Sequence, residues 1–183
     1  MRIAVTGTHR VGKSTLIEEL EEQLAEYRVI DEPYHLLEEE GYEFASPPCL
    51  EDFLEQLRRS MELLEEEGSA RNVLFDRCPL DFLGYLLTHE DSDSFDVEEW
   101  LARVRSTLQT LDLVVFVPIE ERDRIQIPAH EDREQRRDVD EKLAWILFDD
   151  PFELGMDVLS VHGSTSARVA QVLEHLGRGE RRR

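Results

Sequence analysis

Apolar positions along the chain follow two alternating rhythms. Short unbroken runs occur at Ile3–Val5, 27–33 (YRVIDEP), Val73–Phe75, 111–118 (LDLVVFVP) and 156–161 (MDVLSV). Runs of this length read as strands, and 111–118, apolar on both faces, reads as a strand of a parallel sheet. Between them the apolar residues recur at spacings of three and four. The first such set is Leu16, Ile17, Leu20 and Leu24, and others span Leu50–Leu64, Leu80–Leu86, Val97–Leu111, Val139–Leu147 and Val169–Leu176. These predict helices. Pro33 is expected to stop the second strand and Pro79 to sit in a helix's first turn. Strands alternating with helices five times predict an α/β fold: a five-stranded parallel sheet with helices on both faces.

The chain has 183 residues, enough for one domain that buries about 70% of its unfolded surface. We expect a single domain over 1–177 and a frayed basic tail over 178–183, with no internal repeat or linker. The glutamate runs Glu38–Glu40 and Glu65–Glu67 read as solvated helix faces.

Charge narrows the partners. There are 42 acidic against 21 basic residues, a net charge of −21, which repels nucleic-acid backbones and anionic membranes. Neither is expected as a partner. A small anion is still admissible, because clustered N–H groups and a few cations can reverse the potential locally. Two cysteines, Cys49 and Cys78, are too few for a disulfide framework or a zinc site. With no signal-like or membrane-spanning run, a cytoplasmic location is expected. A homodimer is left open.

Between the first strand and first helix stands GTHRVGKST, with Gly7, Gly12, Lys13 and Ser14 in the spacing G-x-x-x-x-G-K-[ST]. The glycines let the backbone turn its N–H groups toward phosphate oxygens at a helix N-terminus. The expected nucleotide-binding residues here are Gly7, Arg10, Val11, Gly12, Lys13, Ser14 and Thr15. Lys13 would reach the β- and γ-phosphates and Ser14 would help hold Mg²⁺. A GTPase would carry N-K-x-D, yet the chain's one asparagine, Asn72, precedes valine. VLFDRC offers no paired acids of the kind found in larger ATP-driven machines.

GTHRVGKST, IDEP, FDRCPLDFLGYL and the arginine-rich EDREQRRDVD, taken in order, resemble the P-loop nucleoside and nucleotide kinases, in particular the AAA-domain, ribosylnicotinamide-kinase-like group. The resemblance spans nearly the whole chain. It implies a P-loop NTPase three-layer sandwich with a lid segment, and transfer of a phosphoryl group from ATP, with Mg²⁺, to a small-molecule acceptor such as a nucleoside or nucleotide. Asp31 or Glu32 would orient or deprotonate the acceptor hydroxyl, and the E-P step matches Glu32 best. Asp76 would hold Mg²⁺ with Ser14, and Arg77 would bind donor or acceptor phosphate.

The segment 122–137 carries Arg122, Arg124, Arg133, Arg136 and Arg137, where related kinases have a lid, here about 119–142. Arg133 and Arg137, four apart, can share a helical face. The implied catalytic set is Lys13, Glu32, Asp76, Arg77, Arg133 and Arg137. Gly163 and Ser164, with Arg168, would lie near the nucleotide base, and Ser164 equally suits a helix N-cap. Cys78 reads as a packing residue.

The acceptor is expected over 33–70, against Tyr34, His35, Tyr42, Phe44, Phe53 and Gln56, with Gln56 the first candidate to read a base. An acceptor phosphate would need a cation such as Arg58 or Arg59. The competing class is a nucleotide-binding switch module without an acceptor.

Overall fold

Alternation along β1 (Arg2–Thr6) decides the architecture. Ile3 and Val5 enter one apolar cluster and Ala4 enters another, and all three are fully buried. Such a strand must lie inside a sheet covered on both faces. In the computed structural model, which describes residues 1–120 and 133–180, β1 is the middle strand of five. The others are β2 (Arg28–Ile30), β3 (Val73–Asp76), β4 (Leu113–Phe116) and β5 (Val158–Ser160). All pair in parallel, in the order β2-β3-β1-β4-β5.

The same alternation divides β3 and β4. Leu74 and Val115 join the cluster under α1 (Lys13–Gln23) and α7 (Thr165–Glu180). Val73, Phe75, Val114 and Phe116 face the cluster formed with α3 (Leu50–Glu66), α4 (Pro79–Thr88), α5 (Glu98–Leu108) and α6 (Arg133–Ala144). The result is the expected three-layer α/β sandwich. No described helix is long and apolar enough to cross a membrane.

Three local outcomes differ from the sequence reading. The second strand ends at Ile30, and Pro33 opens an additional helix, α2 (Pro33–Glu39), because its fixed φ and missing N–H suit a first helical turn. The helix expected through Leu147 changes to a π-helical turn over Trp145–Asp149. That turn closes at Asp150, left-handed at φ 44°, whose carboxylate accepts the amides of Leu154 (2.7 Å) and Gly155 (3.0 Å). Finally, α7 continues through Glu180, past the expected domain end at 177. Residues 121–132, most of the expected lid, and 181–183 lie outside the described residues.

Helices α3 and α4 begin alike, with Cys49-Leu-Glu-Asp52 and Cys78-Pro-Leu-Asp81. In each the aspartate accepts the cysteine's backbone N–H, at 2.7 and 3.0 Å, and so satisfies a donor the helix start leaves open.

Register places the site. Val5 pairs with Asp76 and Thr6 with Phe116, so the loops leaving β1, β3 and β4 emerge together at the carboxyl edge of the sheet, where ligands of open α/β sheets bind.

Gly84 lets α4 approach α6: a Cβ there would stand 3.1 Å from Cγ of Leu143, itself fully buried. Gly84→Val is expected to lower unfolding free energy by about 1–3 kcal/mol through overpacking, measured by urea titration; unchanged stability would mean that α6 can move away without loss.

Candidate active site

The phosphate loop leaves β1 at Thr6 and enters α1 at Lys13. Gly7 has φ 148°, and a Cβ would meet the Val117 carbonyl oxygen at 2.5 Å, so only glycine fits between β1 and β4 there. Lys13 is 6% exposed and its Nζ donates to the Thr8 carbonyl at 2.8 Å. Burial, with the Arg77 charge beside it, lowers its pKa to about 8 against the opposing pull of Asp81, Asp76 and Glu32.

Arg77 stands at the centre of the acid–base cluster. It donates from Nε to Glu32 (2.8 Å) and from Nη1 to Asp81 (3.0 Å) and to the Gly7 carbonyl (3.1 Å). Its backbone is left-handed, φ 75°, a conformation a non-glycine residue holds only when its surroundings over-determine it. Burial disfavours its charge, but Tyr85, Asp81, Glu32 and Asp76 outweigh that and hold its pKa above the ordinary value. For Glu32, burial pushes upward, yet the Arg77 charge and hydrogen bond, with Lys13 and His35, leave the carboxyl below the usual range.

Asp81 was not singled out in the sequence. It is completely buried and accepts from Thr6 Oγ1 (2.8 Å), Gly7 N (3.1 Å), Cys78 N (3.0 Å) and Arg77 Nη1 (3.0 Å). One carboxylate therefore joins the end of β1, the start of the phosphate loop, the first turn of α4 and Arg77. The signal for it was the C-x-x-D spacing, present twice.

Asp76, one residue before Arg77, has a buried Oδ1 without a hydrogen-bond partner. Burial raises its pKa to about 6, with Lys13 and Arg77 pulling down and Glu32 and Asp81 adding to the rise.

Two cavities flank the loop and both are bordered by Gly12 and Thr15. One, of about 370 Å³, holds Lys13, Ser14, Glu32 and Arg77. The other, of about 360 Å³, holds Val11, Gly163, Ser164, Arg136 and Arg168. Lys13, Ser14, Glu32 and Arg77 thus line one chamber and Val11, Gly163 and Ser164 the other, while Gly7, Asp76, Arg133 and Arg137 line neither.

Of the alternatives at the end of β2, Glu32 enters the cluster while Asp31 is exposed. Arg133 and Arg137 are exposed, whereas Arg136, 3% exposed, donates to the carbonyls of His9 and Arg10, each at 3.1 Å. Helical geometry explains the difference: Arg136, Val139 and Leu143 form the buried stripe of α6. Arg122 and Arg124 fall outside the described residues. Ser164 Oγ accepts the Ala167 amide at 3.3 Å, the capping role anticipated for it. Gly163 N donates to Glu120, which also pairs with Arg168 at 3.1 Å.

On the acceptor side Gln56 is buried and its Nε2 donates to the Asp52 carbonyl of its own helix at 3.0 Å. Phe53 stacks on Tyr85 at 4.9 Å, and Tyr34 on Phe44 at 4.3 Å. Tyr42 donates to Asp52 at 3.1 Å, and His35 is exposed. Arg58 pairs with Glu51 and Glu55, and Arg59 with Glu40, Glu62 and Glu66. Cys78 is buried, which pushes its thiol pKa well up and fits a packing role; Cys49 is exposed.

A family model described as AAA domain matches residues 2–168. No match was found among curated proteins. Among solved structures, deoxyadenosine kinase from M. mycoides with bound dATP superposes with a TM-score of 0.65 at 17% identity, covering 97% of this chain and 100% of the other. Thymidylate kinase from Candida albicans gives a TM-score of 0.63 at 17% identity, covering 97% and 91%. A NadR protein in complex with NAD and AMP-PNP gives 0.67 at 19% identity, covering 96% of this chain and 49% of that longer one. At these identities the likeness is one of fold.

Because folding raises the Asp76 pKa from 3.8 to about 6, the stability that group contributes is present below about pH 4 and is lost as pH rises through about 6. Asp76→Asn is therefore expected to be more stable than the wild type above pH 6, by on the order of 2 kcal/mol, with the difference shrinking toward pH 4. Thermal melts across that window check it, and a pH-independent difference would contradict the assignment. Asp81→Ala, which strands its buried donors, is expected to cost about 3–5 kcal/mol.

Proposed function

We propose, for a chain that belongs to the AAA domain family, that it transfers the terminal phosphoryl group of ATP to a hydroxyl of a nucleoside, nucleotide or related metabolite. One observation carries this reading: Glu32, paired with Arg77 at 2.8 Å, lines the same chamber as Lys13 and Ser14 of the phosphate loop. A switch module needs the loop and its metal; a transferase also needs a group beside them to orient the acceptor hydroxyl. In support, structures of the same fold include a deoxyadenosine kinase with bound dATP, a thymidylate kinase, and NadR proteins holding AMP-PNP or NR.

The chamber of Val11, Gly163, Ser164 and Arg168 would receive the donor base, and the loop amides and Lys13 the phosphates. Mg²⁺ fits the residues present: Asp76 carries a buried, unpartnered oxygen one residue before Arg77, and Arg77 and Ser14 line one chamber. A hydroxyl and a carboxylate suit this cation, which takes its remaining ligands from phosphate and water. Bound there, it would neutralise charge on the β- and γ-phosphates.

On the acceptor side Glu32, held ionised by Arg77, would accept a hydrogen bond from the acceptor hydroxyl and aim its oxygen at the γ-phosphorus. As that oxygen bonds to phosphorus, the bond to the bridging oxygen of ADP breaks, and the hydroxyl proton passes to Glu32. The step asks mainly for positioning and charge stabilisation, so a carboxylate of lowered pKa is adequate. Arg77 and Lys13 would meet the charge on the transferring group, and α6 would close over it.

Incubation with ATP, Mg²⁺ and a panel of nucleosides, nucleoside monophosphates and nicotinamide riboside is expected to give one or more phosphorylated products by mass. A protein that binds ATP but phosphorylates none of them would sink the transferase reading. Lys13→Ala is expected to abolish nucleotide binding, and Asp76→Asn to slow turnover while binding persists. With an ionised Asp76 and a protonated Lys13 both required, kcat/KM should rise through about pH 6 and fall through about pH 8. A flat profile over that range would remove one of the two from the mechanism.

A further inference from the structure

A loop that turns its N–H groups inward around an anion turns its carbonyls outward, and each of those needs a donor of its own. Here five consecutive carbonyls accept from side-chain cations. Gly7 O accepts from Arg77 (3.1 Å), Thr8 O from Lys13 (2.8 Å), and Val11 O from Arg168 Nη1 (2.7 Å). His9 O and Arg10 O accept from Nε and Nη2 of Arg136, each at 3.1 Å. Gly12 O then takes the Leu16 amide at 3.1 Å, the first bond of α1.

The cations come from four places: the turn after β3, α1, α6 and α7. The last two lie in opposite layers of the sandwich, so the loop is gripped from both sides of the sheet. Arg136 and Arg168 are 3% and 9% exposed, a costly placement for a guanidinium unless hydrogen bonds compensate it. Part of the compensation at Arg168 is Glu120, at 3.1 Å.

A carbonyl and the N–H that follows it form one amide. A cation on the oxygen therefore polarises the next residue's N–H, strengthening it as an anion donor. The five capped carbonyls belong to the amides of residues 8–12; since His9 N already donates to the Tyr85 hydroxyl at 3.1 Å, the effect on an anion concerns the amides of residues 8, 10, 11 and 12. This also supplies a local reversal of sign in a chain whose net charge is −21.

We propose that Arg136 and Arg168 are positioning residues for nucleotide phosphates, holding the carbonyl side of the loop so that its amide side stays shaped and polarised for an anion. Both line the donor chamber, and their effect on the phosphates runs through the loop carbonyls they cap. Because Arg136 rides on α6, the seating of α6 becomes a condition of phosphate affinity. The inference rests on the nucleotide-binding half of the proposed function and not on phosphoryl transfer.

Equilibrium binding of tripolyphosphate, ADP and ATP to the full chain, without acceptor, tests it. Arg136→Met and Arg168→Met are each expected to weaken all three ligands by a common factor, about tenfold or more, the worth of a charge-assisted hydrogen bond. The Lys variants, which keep the charge, should recover part of the loss. Amide exchange in the Met variants should quicken at residues 8–12 and stay unchanged in β3 and β4.

Weakened ADP and ATP with unaltered tripolyphosphate would place Arg168 on the base and overturn its assignment. Loss of ATP and tripolyphosphate with ADP unaltered would place Arg136 on the γ-phosphate and overturn that one. Exchange accelerated through the whole sheet would make the loss one of global stability, also against the proposal. Since binding needs no acceptor, a chain that binds all three but transfers nothing fails the kinase reading while leaving this one tested. A wild type that binds none of them ends both.

Discussion

A fully buried carboxylate survives only if its oxygens are matched by donors, and Asp81 finds four, from Thr6, Gly7, Cys78 and Arg77. Those donors belong to β1, the phosphate loop, the start of α4 and the acid–base cluster. The position of each is therefore tied to the others through one group. Remove it, and Arg77 loses one of the bonds that hold its left-handed backbone, Glu32 loses a fixed partner, and the loop loses its anchor at Gly7. The carboxylate thus ties together the groups proposed to act.

Around this anchor the charges are arranged unequally. Glu32 and Arg77 satisfy one another, and each is held firmly in its charged form. Asp76 and Lys13 are buried with incomplete compensation, so their pKa values move toward neutrality, to about 6 and about 8. Such tension is a cost to folding, and shifts of this kind cluster at functional sites. It would be relieved by a ligand bringing both a cation and an anion, as a metal–nucleotide pair does.

The fold was readable because burial on two faces leaves a direct mark on composition. Ile3–Val5, Val73–Phe75 and 111–118 could hardly be anything but inner strands, and Leu50–Leu64 could hardly be anything but a helix. Boundaries set by local exceptions were less readable. Pro33 both limits an extended segment and opens a helix, and its neighbours do not say which role dominates. The phosphate loop was visible for a different reason: its chemistry depends on backbone geometry that only glycines at fixed spacing permit. Glu32, Asp76 and Arg77 were visible because they stand at strand ends.

Arg136 and Asp81 were hidden because their roles depend on what lies opposite them. Three arginines crowd residues 133–137, and spacing alone favoured the pair four apart; the choice was made by the apolar stripe of Val139 and Leu143, which turns Arg136 inward toward the loop. Asp81 reads along the chain as a helix-start residue, and its further bonds reach residues more than 70 positions away. The sequence by itself determined the layers, the loop and the identity of the charged groups, since those follow from periodicity and local spacing. Which cation meets which carbonyl, and which carboxylate remains without a partner, was decided by the tertiary structure, because such pairings depend on distances between elements remote in sequence.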